Sequence, residues 1–357
     1  MRKESFEFLQ ALVAAPSPSG YEQPAQRIFR GYISDFCRVT GDVLGNVTGF
    51  IPAGGKEPPK AMIVGHSDEI GFQVRFIDDN GFLYFAAIGG VDPHLTPGQR
   101  VEIHGAKGPV PGVIGKKPIH LMDAKDRETV VKLENQYIDI GAASKQEAET
   151  LIRVGDPVTF AVGLTRLHGD RIASRGFDDK AGSFVVAEVL RTIAGKKSRK
   201  LPVDLYGVSS VQEEVGLRGG TTSSYAVNPD IGICVEVDFC TDQPDVERKY
   251  HGDVALGKGP ILPRGANINP ALFELLADTA SREKIPVQFS GIPKASGTDA
   301  NVMQISRGGV ATALVKIPLR YMHTPVEVLS LADLENAVRL VAATLYRIGD
   351  RKAFVPR

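Results

Sequence analysis

Residues 203–214 read VDLYGVSSVQEE, an apolar stretch that ends in two adjacent carboxylates. Residues 203–211 have the length and apolar content of a buried strand, and Gln212, Glu213 and Glu214 follow directly. In open α/β sheets, ligands bind in the crevice outside the carboxyl ends of the strands. The stretch therefore predicts a strand that carries a pair of acidic side chains to the functional edge of a sheet.

Strands and helices alternate on both sides of this stretch. The pattern predicts strands at 61–64, 231–235 and 312–317 and helices at 4–15, 23–36, 179–193, 271–282 and 330–346. Alternation of this kind is typical of the α/β class. We therefore predict an α/β fold with a mixed sheet flanked by helices.

The hydrophobic pattern of the sequence changes between residues 73 and 159. Short alternating runs at 74–77, 82–85 and 100–103 are separated by turn signals such as Asp79-Asn80-Gly81, with one expected helix at 144–152. These features predict a small β-rich domain inserted into a larger one. The expected organisation is a catalytic domain of residues 1–72 plus 160–357 and an insertion of residues 73–159.

Composition excludes several classes of function. The 357 residues include 42 basic and 42 acidic side chains, and this zero net charge disfavours a nucleic-acid or membrane-surface partner. No run approaches the roughly 18 apolar residues of a membrane span. The three cysteines form no CxxC pair. The N-terminal segment is a poor signal peptide, because it contains the acidic residues Glu4 and Glu7. We expect a cytoplasmic protein.

Polar clusters follow the predicted strands or open a helix. They are His66-Ser67-Asp68, Asp178-Asp179, Gln212-Glu213-Glu214, Glu236-Val237-Asp238 and His323. Taken singly, each has a structural explanation: a packed histidine, a helix cap, a solvated loop or a turn. Taken together at strand ends, imidazoles and carboxylates are the ligands of a divalent metal such as zinc.

Two neighbouring metal ions would need a carboxylate between them, because their charges repel, and together they would activate one water. Glu213 and Glu214 are adjacent, and adjacent residues of an extended chain point in opposite directions. We therefore expect one of them to bind metal while the other stays free to take a proton.

An ordered series of motifs along nearly the whole chain resembles the tetrahedral aminopeptidase family of bacteria and archaea, which includes glutamyl and deblocking aminopeptidases. The motifs are APSPSGYE (15–22), VGHSDEIGF (64–72), GFDDKAG (176–182), VQEEVGLRGG (211–220), LGKGP (256–260), GTDA (297–300) and YMHTPVEV (321–328). The resemblance implies a phosphorylase/hydrolase-like metallopeptidase fold and an aminopeptidase that uses two divalent metal ions. Zn²⁺, Co²⁺ and Mn²⁺ all suit such ligands.

The resemblance also implies site roles. His66 matches a ligand of the first metal, Asp68 the carboxylate that orients the catalytic assembly, and Asp178 the bridging ligand. Glu213 matches the general base, while Glu214 and His323 match ligands of the second metal.

One position departs from the family pattern, which has an Asp after the third strand. Counting back from Asp242-Gln243-Pro244 places Glu236 at this ligand position, with Asp238 as the alternative. Residues two apart on a strand share a face, so both carboxylates remain candidates.

The resemblance further implies that the insertion is a dimerisation domain and that dimers assemble into hollow dodecamers. Peptides are the expected substrates, and Thr298 and Asp299 lie in the family's substrate region. Two other functions stay open: a different hydrolase on the same metal platform, and a non-catalytic metal-stabilised scaffold. The sequence does not reveal which N-terminal side chain is accepted.

Overall fold

A computed structural model describes residues 1–196 and 199–356 of the chain. The helices are α1 (Lys3–Ala14), α2 (Gln23–Ile33), α3 (Ala124–Arg127), α4 (Lys145–Leu151), α5 (Phe177–Gly195), α6 (Arg218–Val227), α7 (Arg248–His251), α8 (Pro270–Arg282), α9 (Asp299–Gln304) and α10 (Leu331–Leu345). The strands are β1 (Arg38–Gly41), β2 (Val47–Ile51), β3 (Lys60–His66), β4 (Gly71–Ile77), β5 (Leu83–Ile88), β6 (Arg100–Gly105), β7 (Gly108–Gly115), β8 (Tyr137–Asp139), β9 (Pro157–Phe160), β10 (Thr165–Arg166), β11 (Arg171–Ser174), β12 (Asp204–Ser210), β13 (Ile231–Phe239), β14 (Ile261–Gly265), β15 (Gln288–Ile292), β16 (Ala311–Leu319) and β17 (Glu327–Ser330).

The central layer is an eight-stranded sheet with the order β1-β2-β12-β3-β13-β16-β14-β15. β12, β3, β13 and β16 run parallel, whereas β2 pairs antiparallel with β12 and β14 pairs antiparallel with β16. The predicted mixed sheet flanked by helices is confirmed. β13 extends beyond its predicted end: it pairs with β16 as far as Phe239, so Glu236 and Asp238 lie within the strand and not after it.

Helix α5 packs against β3 and β13 and is covered by α1, α2 and α10. The helix approaches the sheet closely because two glycines face each other at the contact. A Cβ atom on Gly65 would lie 2.4 Å from the backbone carbonyl carbon of Gly182, so a larger residue at position 65 would force the backbones apart. This contact brings the start of α5 beside His66, the last residue of β3.

The segment predicted to be β-rich forms a closed barrel with the strand order β4-β5-β8-β7-β6-β9. The barrel has its own apolar core, which includes Phe72, Leu83 and Ile103. The helix expected within this segment is α4, and Ser144 caps it by accepting a hydrogen bond from the N–H of Glu147.

A third, three-stranded sheet with the order β10-β11-β17 was not predicted. Its strands are two to four residues long, too short to show a hydrophobic period. Over residues 1–196 and 199–356, no helix combines the length and hydropathy needed to cross a membrane.

Candidate metal centre

The predicted ligands converge at the carboxyl ends of the parallel strands. His66 ends β3 and is paired with Ser210, the last residue of β12. On the other side of β3, Val64 pairs with Cys234, and continuing this register by two residues brings Glu236 level with His66. The sheet therefore places side chains from three strands around one cleft, as the α/β topology predicts.

His66 lies at the centre of the first group of side chains. Its Nε2 atom is 3.2 Å from Oδ1 of Asp178, 3.7 Å from Oε1 of Glu236 and 3.8 Å from Oε2 of Glu213. His66 is 2% exposed, so these contacts are screened from water.

His323 forms the second group. Its Nε2 atom is 3.2 Å from Oδ2 of Asp178 and 3.2 Å from Oε1 of Glu214. The carboxylate of Asp178 therefore lies between two imidazoles, with one oxygen directed to each. Oε1 of Glu214 is buried without accepting a hydrogen bond, despite its short distance to His323.

The potential ligand atoms form two sets, and within each set all atoms lie within 4.8 Å of one another. One set is His66, Glu213 and Glu236, and the other is His66, Asp178 and Glu214. One or two imidazoles with several carboxylates are a donor set that suits a borderline divalent cation. The unpartnered oxygen of Glu214 and the two-sided carboxylate of Asp178 fit such ions as well.

Glu213 and Glu214 do not continue an extended strand, so the alternation on which the expectation of one ligand and one base was argued is absent here. The strand ends at Ser210, and Gln212 adopts a positive φ of 56°, so the chain turns before the two acidic residues instead of continuing extended. Both carboxylates consequently face the cleft, and each belongs to a different ligand set. The base and the ligand cannot be told apart by strand alternation.

Asp238 lines the same cavity as Glu236, but its carboxylate is already paired. The Nζ atom of Lys316 donates to Oδ2 of Asp238 at 3.0 Å. Asp238 also lies two residues beyond the level of His66, about 6.6 Å further along the strand. Distance and charge therefore both favour Glu236 as the ligand.

Asp68 is fully buried and positions its neighbours. Nδ1 of His66, the ring nitrogen that does not face the other carboxylates, lies 3.0 Å from the backbone carbonyl oxygen of Asp68 and 3.3 Å from its carboxylate. Oδ1 accepts a hydrogen bond from the backbone N–H of Glu213 at 3.0 Å, and Oδ2 accepts one from the N–H of Glu214 at 3.1 Å. Burial opposes ionisation of Asp68, but His66 and these hydrogen bonds outweigh it and lower the pKa.

Four further residues support the site and were not assigned roles from the sequence. Ser19 donates to Asp68 at 2.7 Å, and Glu22 accepts the N–H of Gln212 at 3.1 Å. Asp179 accepts the N–H of His66 at 3.2 Å. All of them lie inside the motifs quoted above, which is the signal that could have found them.

The fourth of these supporting residues is Glu327, whose side chain is buried and only 1% exposed. Its Oε2 atom accepts the backbone N–H of Asp178 at 3.1 Å, and its Oε1 atom accepts that of His323 at 3.0 Å. One buried carboxylate therefore links the backbones of two predicted ligands that are far apart in sequence.

The charges of the centre favour a cation. Burial, with smaller contributions from neighbouring carboxylates, raises the pKa of Glu213 to about 10 and that of Glu236 to about 8. The carboxylates of Asp178 and Glu214, each 3.2 Å from Nε2 of His323, raise the pKa of this imidazole to about 11. Protons therefore balance the carboxylates when no metal is bound, and a divalent cation would displace them.

The two predicted substrate contacts differ in position. Thr298 lines the cavity, together with Gly297. Asp299 is 1% exposed, accepts a hydrogen bond from Ser210 at 2.6 Å and does not line this cavity. A direct contact between Asp299 and a substrate does not follow from this position, because the side chain lies behind the cavity wall.

The fold and the group of imidazole and carboxylate side chains described above are those of a known class of protein. Residues 45–340 match the model of the M42 glutamyl aminopeptidase family, and the chain belongs to that family. The family resemblance inferred from the motifs is thereby confirmed.

Relatives match over nearly their full length. A lysyl aminopeptidase of Pyrococcus furiosus is 37% identical over 347 residues, covering 95% of this chain and 96% of the relative. The crystal structure of a TET aminopeptidase from a marine sediment Thaumarchaeota archaeon has a TM-score of 0.93 and 35% identity over 99% of each chain. The TET1 peptidase of Pyrococcus horikoshii, which assembles into a tetrahedron or a large octahedral shell, has a TM-score of 0.85 and 30% identity over 96% of this chain and 100% of that one.

Proposed function

We propose that this protein is a dinuclear metallo-aminopeptidase that removes the N-terminal residue from peptides. The observation that carries the proposal is the position of Asp178, whose two oxygens each lie 3.2 Å from the Nε2 atom of a different histidine. This is the arrangement expected of a carboxylate that bridges two ions. His66 and Glu236 would complete one side, and Glu214 and His323 the other.

Bound divalent ions would supply Lewis acidity for the scissile carbonyl and would lower the pKa of the attacking water. Glu213 would take a proton from this water and pass it to the leaving amine. Asp68 would hold the His66 imidazole in one tautomer and keep the loop with Glu213 in place. Burial of the cleft strengthens each of these electrostatic interactions.

The activity is tested with aminoacyl p-nitroanilides, their N-acetylated counterparts and substrates with a free C-terminus. An aminopeptidase hydrolyses only substrates with a free α-amine. Cleavage of the acetylated or C-terminal substrates would instead indicate a deacylase, carboxypeptidase or endo-acting enzyme on the same platform. No hydrolysis by the metal-loaded protein would favour a metal-stabilised scaffold.

Zn²⁺ and Co²⁺ are the proposed ions, with Mn²⁺ a further candidate, because the ligand set consists of imidazole nitrogens and carboxylate oxygens. Reconstitution of metal-free protein with each ion separately, followed by the anilide assay, identifies the ion that restores the rate. A rate restored equally by Mg²⁺ would contradict the expected preference for ions that bind nitrogen ligands.

We also propose that the chains assemble as dimers into a dodecamer, with the barrel of residues 73–159 acting as the dimerisation domain. The assembly described for the Pyrococcus horikoshii relative supports a large homo-oligomer. Light scattering should give a mass near twelve times 38.4 kDa. A mass of one chain over a wide concentration range would contradict the proposal.

A cytoplasmic location is proposed on cysteine usage. Cys37, Cys234 and Cys240 are free thiols, and two of them are buried. Free thiols suit a reducing compartment. Detection of the protein in a periplasmic or secreted fraction would contradict it.

A further inference from the structure

Part of the cavity at the metal centre is lined by residues that have no role in the mechanism above. The cavity has a volume of about 230 Å³. Beyond the proposed ligands and base, its wall includes Val237, Asp238, Phe239, Thr298, Lys316 and Met322. A wall that continues from the ligands of a scissile carbonyl is where the side chain of the N-terminal residue would lie.

An ion pair is built into this wall. Lys316 and Asp238 approach to 3.0 Å, and their side chains are only 10% and 20% exposed. They stand on neighbouring parallel strands, in a register that pairs Glu236 with Lys316 and Asp238 with Pro318. Residues paired in this way project from the same face of the sheet, so the pair stays beside Glu236.

The pair leaves the wall without an unpaired charge. An entering ammonium or guanidinium group would meet the Lys316 cation, and an entering carboxylate would meet the Asp238 anion. To use either partner, a charged substrate would have to leave the other one unpaired in a largely buried position, which is costly. An apolar side chain avoids this cost.

Apolar surface is available in the same wall. Phe239 is 64% exposed although it ends a central strand of the sheet, and Met322 lines the same cavity. Contact between this exposed aromatic ring and an apolar substrate side chain is favourable, because it removes apolar surface from water.

We propose that the Asp238–Lys316 ion pair sets the specificity of this enzyme by closing the pocket to charge of either sign, so that peptides with an uncharged, apolar N-terminal residue are the preferred substrates. The inference rests on the proposed aminopeptidase function. It predicts that each partner alone would open the pocket to one sign of charge: Asp238 to basic residues and Lys316 to acidic ones.

The test compares kcat/KM for leucyl, lysyl and glutamyl p-nitroanilides. The wild type should hydrolyse the leucyl substrate about tenfold or more faster than either charged one. Asp238→Asn should raise the glutamyl/leucyl ratio about tenfold or more, and Lys316→Gln should raise the lysyl/leucyl ratio similarly. The matched control is the double variant Asp238→Asn/Lys316→Gln, in which the wall is again free of unpaired charge. It should restore the wild-type order of kcat/KM among the three substrates.

Ratios within one variant cancel any common loss of rate, and metal content is measured for each protein. If either single variant fails to fold, Asp238→Ser or Lys316→Met removes the same charge and takes its place. Equal or faster hydrolysis of a charged substrate by the wild type would overturn the proposal, as would single variants with unchanged ratios or a double variant that keeps an altered ratio. Failure of the aminopeptidase function itself would look different, because no substrate with a free α-amine would be hydrolysed, and the specificity proposal would then fall with it.

Discussion

Oδ1 of Asp68 accepts a hydrogen bond from the backbone N–H of Glu213 at 3.0 Å. Oδ2 of Asp68 accepts a hydrogen bond from the backbone N–H of Glu214, and the same carboxylate contacts the ring of His66. One buried residue therefore orients the proposed base, one proposed ligand and the central imidazole, whose Nδ1 atom also lies 3.0 Å from the backbone carbonyl oxygen of Asp68. The placement of the two adjacent glutamates is set by this anchored turn and not by the alternation of a strand.

Glu213→Gln should retain both metal ions and the fold but lower kcat by about 10²–10⁴-fold or more, the usual contribution of a positioned general base. Gln keeps the size of the side chain but cannot accept the proton. Glu214→Gln should lose metal as well as activity. The measurement pairs kcat with metal content for both variants.

Two results would contradict these assignments. A Glu213→Gln enzyme within tenfold of the wild-type rate would refute the base. A Glu213→Gln protein that lacks one metal would mean that the two glutamates have exchanged roles, which their membership in different ligand sets makes a real alternative.

Freshly purified protein should contain close to two divalent ions per chain, and chelation should abolish hydrolysis. Metal loading should also release protons, since carboxylates such as Glu213 and Glu236 are held protonated by burial in the metal-free centre. Elemental analysis and titration calorimetry in buffers of different ionisation enthalpy measure both quantities. One ion or none, with a rate unaffected by chelator, would refute the dinuclear centre.

Glu236→Gln should lose one metal ion, whereas Asp238→Asn should keep both. Glu236 lies 3.7 Å from Nε2 of His66, while the Asp238 carboxylate is held by Lys316. Metal analysis of the two variants side by side is sufficient. The opposite pattern would identify Asp238 as the ligand.

Glu327→Gln should weaken metal binding at the site of Asp178 and His323 by about 10–100-fold, the usual effect of removing an outer support of a ligand. Gln has one acceptor oxygen and one NH₂ group, so it can accept only one of the two backbone N–H groups that Glu327 holds. Calorimetric titration of metal-free protein gives the affinity.

The matched control for this experiment is Glu7→Gln, an exposed glutamate on α1. It should leave both the metal affinity and the thermal midpoint of the metal-free protein unchanged. If Glu327→Gln lowered the thermal midpoint but left the affinity intact, Glu327 would be a structural residue and not one that positions ligands.

Glu69 should support stability through a buried ion cluster. It contacts Arg175 and lies 2.9 Å from Nζ of Lys180. Burial alone would raise the pKa of Glu69, but Arg175 and Lys180 outweigh it and lower the pKa from 4.5 to about 2. Burial lowers the pKa of Lys180 to about 8, so the lysine is still mostly charged at neutral pH. Glu69→Gln should therefore cost about 3–5 kcal/mol at pH 7, because two buried cations lose their partner.

The pH dependence follows from the direction of the Glu69 shift. Since its folded pKa is depressed, its contribution is fully present above about pH 4.5 and is lost as the pH falls towards about 2. The difference in free energy of unfolding between wild type and Glu69→Gln should thus shrink across this window. A difference that stayed constant, or that was matched by Glu7→Gln, would contradict the prediction.

Local patterns determined much of this protein. Hydrophobic period and turn signals predicted the mixed α/β sheet and the β-rich segment, because buried strands and helices must each present an apolar face at their own period. The motifs located His66, Asp178, Glu214 and His323, and the structure brings them together: Asp178 lies 3.2 Å from both imidazoles and Glu214 lies 3.2 Å from His323.

Only the tertiary structure decided how these groups are arranged. The register of β13 against β3 put Glu236 level with His66, and the register of β16 against β13 put Lys316 beside Asp238. Neither register is encoded in the spacing of a single strand. The carboxylates of Asp68, Glu22 and Glu327 accept hydrogen bonds from backbone N–H groups of distant segments. Every residue except proline carries an identical N–H group, so no residue pattern can mark which one a carboxylate will meet until the chain has folded.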